Sequence, residues 1–125
     1  MKERGNLGCF GFGKEEITVT VEKILLLVDS TVENEICEET KLGWLCSVEG
    51  MVLSEIHKKR PEEIVLPRRG DDSLILPDAY ASVYLHYLLA MVELTKGNYE
   101  GFTKMNAEFE KAFSTYGRYY IRNRG

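Results

Sequence analysis

The sequence is poor in the residues that usually carry chemistry: its 125 positions include two histidines, three cysteines and one tryptophan. The cysteines, Cys9, Cys37 and Cys46, are odd in number and none stands in a CxxC spacing, so neither a disulfide framework nor a zinc site is expected. Synthesis in a reducing cytosol follows from that usage. Long apolar runs are missing too. Ile24–Val28 spans five residues, where a membrane crossing needs about 20, and no charged-then-apolar leader opens the chain. A soluble, non-secreted protein without membrane contact is the expectation. There is also no basic excess. A net charge of −4 and a pI near 5.3 oppose a dedicated nucleic-acid binder, because such domains displace counterions from phosphates with a basic surface.

Catalytic signatures are absent from the order of residues as well as from their number. Gly5, Gly8, Gly11 and Gly13 do not spell G-x-G-x-x-G after a strand, and neither G-x-x-x-x-G-K-[ST] nor G-x-S-x-G occurs. His57 closes a predicted helix, where the dipole favours it, and His86 lies beside Tyr87 on another; neither has a cysteine or carboxylate at ligand spacing. Glu35, Glu38 and Glu39, like Asp71 and Asp72, read as solvated charge rather than paired acid and base, since neighbours on a helix or turn point apart. Arg69-Gly70-Asp71 matches the tripeptide of some integrin ligands, but in a chain without a secretion signal it reads as a charged turn. The expectation is a non-enzymatic protein with no catalytic residue, cofactor or metal.

What the chain does have is the composition of one folded domain, 44% apolar and 29% charged, with its charge unevenly spread. Glu15–Glu55 holds ten acidic residues against Lys23 and Lys41, while His57–Gly70 holds five basic against two acidic, and Asn98–Gly125 five basic against three acidic. Opposite signs on one chain suit subunits that pack head to tail, or equally two solvated helix faces. Residues 1–17, with four glycines around Leu7, Cys9, Phe10 and Phe12 and no period, read as a flexible arm before a domain over 18–125.

Periodicity predicts an all-α fold, a bundle of about four helices. The first starts at a Thr18 or Thr20 cap and runs to about Ser30, with Val21, Ile24, Leu25 and Val28 on one face and Leu26 and Leu27 widening it. The second, about Glu38 to His57, repeats Leu42, Leu45, Val48, Val52 and Ile56, with Gly43 and Gly50 marking a face open to a close neighbour, and Pro61 follows it. A long loop or short β-hairpin built on Ile64–Leu66 and Leu74–Leu76 comes next. The third helix, from Pro77 or Asp78 to about Lys96, carries Tyr80, Tyr84, Tyr87, Leu88, Met91 and Leu94. Gly97-Asn98 then turns the chain into a fourth, about Tyr99 to Ile121, antiparallel to the third. Its seam of Tyr99, Phe102, Asn106, Phe109, Phe113, Tyr116 and Tyr120 alternates steps of three and four.

From about Thr18 to Asn123 the order of signals carries a resemblance. Val28-Asp29 closes the first helix, Glu39-Thr40-Lys41-Leu42-x-Trp44-Leu45 opens the second, and Val48-Glu49-Gly50 lies within it. Pro61-Glu62-Glu63 follows, then Leu74-Ile75-Leu76-Pro77-x-x-Tyr80-x-x-x-Tyr84, Ala90-Met91-x-Glu93-Leu94, Asn98-Tyr99-Glu100, Met105-Asn106-x-x-Phe109 and Tyr116-Gly117-Arg118-Tyr119-Tyr120. In this order the chain resembles the small helical head-tail connector (adaptor, head completion) proteins of phages and prophages. The Gly-rich arm and Cys37, where a Ser or Asp cap is usual, depart from that pattern.

The resemblance implies a structural virion protein made in the bacterial cytoplasm. It would form a homo-oligomeric ring, commonly a dodecamer, between the portal and a stopper or tail-completion protein, with DNA passing through unbound. Arg68, Arg69, Arg118, Tyr119, Arg122 and Arg124 are the candidate protein-interface residues, the basic ones facing acidic residues of a neighbour's first half. Two other readings stand beside it: a cytosolic helical adaptor or regulator that binds a protein partner through its aromatic fourth helix, and an enzyme subunit with an unrecognised site.

Overall fold

The computed structural model describes residues 18–123. In chain order it forms strand β1 (Thr18–Thr20), helix α1 (Val21–Thr31), helix α2 (Glu38–Met51) with a π-helical continuation (Val52–Ile56), strand β2 (Ser73–Pro77), helix α3 (Ser82–Thr95) and helix α4 (Tyr99–Asn123). The protein is therefore mainly α, with four helices. The expected flexible arm, residues 1–17, lies outside the described residues, as does Arg124.

Thr20 starts α1 by accepting the Lys23 N–H on its Oγ1 at 3.3 Å, which satisfies one first-turn amide. Two more are met from the loop: Val21 N–H donates to the Asp72 carbonyl at 3.0 Å and Glu22 N–H to the Gly70 carbonyl at 2.8 Å. Val21, Ile24, Leu25 and Val28 are buried as their spacing predicts. Leu26 differs: α2 and α3 cover one side of α1, and Leu26, on the other, is 64% exposed.

Leu45, Val48, Val52 and Ile56 of α2 enter the core, and Lys41 and Glu49 share their register and their burial. The helix widens at its end, where His57 N–H reaches the Val52 carbonyl at 3.0 Å and Lys59 N–H the Leu53 carbonyl at 2.8 Å, before Lys58 turns the chain with φ 60°. Gly43 and Gly50 do not admit a neighbouring element: no described atom outside the helix's own backbone and adjacent residues stands within 4 Å of where either Cβ would be.

The connection from α2 to α3 is a long loop holding one strand. That strand, β2, pairs antiparallel with β1, Thr18 opposite Pro77 and Thr20 opposite Ser73 with an irregularity between, rather than with Ile64–Leu66. Burial explains the choice. Val19 fills the core beside Leu74 and Leu76, whereas Val65 and Leu66, bracketed by Pro61 and Pro67, stay outside.

α3 and α4 form the expected antiparallel pair, since rising positions on one meet falling positions on the other: Tyr80 with Tyr116 and Tyr119, Tyr87 with Phe109, and Glu93 with Asn98 at the turn. Gly97 makes that turn with φ 79°, and Asn98 caps α4 by accepting the Gly101 N–H at 3.1 Å. Because α1, α2 and α4 all pack on α3, its buried set is broader than the predicted stripe, adding Val83, Leu89, Ala90 and Val92 while Leu94 remains exposed. The α4 seam is core at Phe109 and Tyr116, but Tyr99, beside the turn, is 68% exposed.

Candidate protein interface

Buried polar contacts fix the loop that carries two of the candidate residues. Ile75 N–H donates to Glu49 Oε2 at 2.8 Å, Leu76 N–H to the Tyr84 hydroxyl oxygen at 3.0 Å, and the Tyr84 O–H to Glu49 Oε1 at 2.6 Å. Side chains of α2 and α3 thus satisfy strand amides that would be costly to bury unpaired. Burial pushes the Glu49 carboxyl above its ordinary range, partly offset by the two hydrogen bonds it accepts, and burial and Glu49 together push the Tyr84 phenol far up. Upstream, Cys46 S–H donates to the Pro67 carbonyl at 3.3 Å, and Asp72 Oδ2 accepts the Arg68 and Arg69 N–H groups at 2.8 and 2.9 Å. Those two amides hold the Asp72 carboxyl below its usual range. The backbone of the arginine turn is therefore fixed while both side chains are exposed.

Beside this turn lies a depression of about 430 Å³. Val21, Leu25, Leu26 and Leu42 form its apolar lining, Glu22, Asp29, Glu38 and Glu39 its acidic rim, and Arg68 and Gly70 its border with the loop. Asp29 is held by Lys41, whose Nζ stands 2.6 Å from Oδ1 and whose stem is buried; that hydrogen bond comes first among the causes that lower the Asp29 pKa. Glu22, Glu38, Glu39 and Arg68 make no ion pair among the described residues.

The other candidates sit at the end of α4, and β2 lies between the two groups: Arg68 and Asp72 precede it, while Ile75 and Pro77 line a cleft with Tyr116, Tyr119 and Tyr120. Arg118 and Arg122 are exposed. Tyr119 is half-buried, its ring 5.1 Å from Tyr80, so it serves the packing of α3 on α4. His57 joins α2 to the same cluster. Its Nε2 is 2.8 Å from the Tyr116 hydroxyl and its ring stacks on Tyr120 at 4.2 Å and 11°. Burial, with Lys59 nearby, holds its imidazole below the ordinary range. Five of the six candidates thus divide between two places, and Arg124 lies outside the described residues.

Sequence reasoning passed over several residues of these surfaces. Lys41 and Glu49 were legible in principle, because positions 41, 45, 48, 49, 52 and 56 fall on one helical face, but a charged type argued against burial. Val65 and Leu66 were read as part of a long loop or a short hairpin, and the prolines on both sides already disfavoured an inner strand.

Among the described residues there is no group of three or more His, Cys, Asp or Glu that could hold a metal ion, and no helix is long and apolar enough to cross a membrane. No family model, curated protein or solved structure matches the chain.

Proposed function

We propose that the protein is a non-enzymatic virion component, a head-tail connector whose copies form a ring between the portal and a stopper or tail-completion protein. The family resemblance supplies this reading. The observation that supports it in the fold is exposed charge of opposite sign that makes no ion pair among the described residues: Glu22, Glu38 and Glu39 around α1 and α2, with Arg68 at the border of the same depression, and Arg118 and Arg122 at the end of α4. A closed ring needs two dissimilar, complementary patches on every subunit, and the acidic depression and the basic end of α4 are a pair of that kind. Tail assembly would be interfacial and mechanical. DNA would pass a net acidic wall that does not grip its phosphates.

The rival reading, an adaptor or regulator that binds through the aromatic α4, is less well supported. Phe109 packs on Tyr87, Tyr116 bonds to His57, Tyr119 lies against Tyr80 and Tyr120 stacks on His57, so most of that seam is already engaged within the chain.

Reversing Arg118 and Arg122 to Glu tests the proposal. Both are exposed, so the melting temperature should change little, whereas incorporation into particles, measured by mass spectrometry, should fall. Normal incorporation, or a collapse of the fold, would rule out the assembly role of these arginines.

A further inference from the structure

We infer that the Val65-Leu66 tip of the loop inserts into the acidic, apolar-lined depression between α1 and α2 of a second copy of this chain. The inference deepens the ring reading and rests on it, by naming the two surfaces that meet.

The loop is built as a projection without a covering. Val65 is 82% exposed and Leu66 40%, between Pro61 and Pro67. The amides of both residues lack a hydrogen-bond partner among the described residues. Neither side chain lines that depression in its own chain; both instead border a hollow of the loop itself with Pro67, Asp72 and Ser73. Adjacent exposed aliphatic side chains next to a hydrogen-bonded turn suit a contact anchor, since the turn that follows them is already ordered.

The depression complements the loop in chemistry and in sign. Leu26, largely exposed, and Leu42 offer an apolar surface for Val65 and Leu66. Glu22, Glu38 and Glu39 on the rim make no ion pair among the described residues, and the loop brings Arg68, and Arg69 with its Asp71 partner at 3.2 Å, beside its apolar tip. A second copy presents both halves of this match: an aliphatic pair next to two arginines, and an aliphatic hollow rimmed by carboxylates. Desolvating Leu26 with Val65 would provide the affinity, and the rim charges would set the orientation.

Sedimentation velocity on the full chain at low ionic strength, over rising concentration, tests this. The unaltered protein should associate, and Val65→Asp should weaken that association about tenfold or more. Circular dichroism should stay unchanged, because the side chain is exposed. The charge-reversed variants E38K/E39K and R68E/R69E should each lose self-association at low salt, since each sets like charges against each other. Mixed in equal amounts they should associate again, because every loop then meets a depression of opposite sign. A protein that stays monomeric up to its solubility limit would overturn the inference. So would a Val65→Asp variant that associates like the unaltered chain, or a mixture that fails to recover.

The ring reading fails separately. An assembly that stops at two copies would uphold the contact and contradict the ring, and absence of the protein from particles would sink the connector reading while leaving the sedimentation result standing.

Discussion

Phe109 shows how a single side chain can hold two helices together. It is 8% exposed, with its ring 5.2 Å from Tyr87 and 5.6 Å from Phe113. Phe109→Ala should cost about 3 kcal/mol, from lost transfer energy and the cavity left behind, read as a lower urea midpoint. An unchanged midpoint would mean that the ring is not in the core. His57 should give the fold a pH dependence. Its folded-state pKa lies below the ordinary 6.5, so below that value the unfolded chain takes up a proton more readily than the folded one. Stability is then full above 6.5 and falls as pH drops through the folded pKa. His57→Phe keeps a ring to stack on Tyr120 and should flatten the melting-temperature profile in this window; a profile as steep as before would place the titration elsewhere. Phe109 was legible because an apolar residue at a regular step has one sensible place. His57 was read only as a helix end, since its partners Tyr116 and Tyr120 are distant in sequence and nothing local announces them.

Helices were read well, because period, cap and stop signals agree within each segment: Thr20 before α1, Glu38 and Glu39 opening α2, and Gly97-Asn98 between α3 and α4. Strand pairing was not. β1 lies more than fifty residues from β2, and three residues around Val19 carry too little alternation to signal a strand. The broad burial of α3 escaped for a related reason, since a single stripe presumes one packed side and this helix has three neighbours. Gly43 yields a prediction for α2. It lies inside the helix with nothing near its absent Cβ, so Gly43→Ala should stabilise the isolated protein by about 1 kcal/mol through helix propensity alone. A lower midpoint in thermal denaturation would show that something does approach this face.

The described residues form a four-helix unit in which the buried Glu49 and Tyr84 hold in place the strand that ends a charged loop. Glu49 and Tyr84 fix β2, Asp72 and Cys46 fix the turn of Arg68 and Arg69 that precedes it, and that turn borders the acidic depression. The charge asymmetry behind this arrangement was visible in the sequence. That the basic loop and the acidic helices would lie side by side was not, because the long α2–α3 connection hides where it returns. Arg68 borders the carboxylates of its own chain's depression, yet its side chain pairs with none among the described residues.

Quantitative mass spectrometry of purified particles, comparing the copy number of this protein with that of the portal, would detect the proposed ring at the head-tail junction. A copy number in fixed ratio to the portal is expected, because a closed ring has a set number of subunits. Particles that complete their heads and tails without this protein would contradict it.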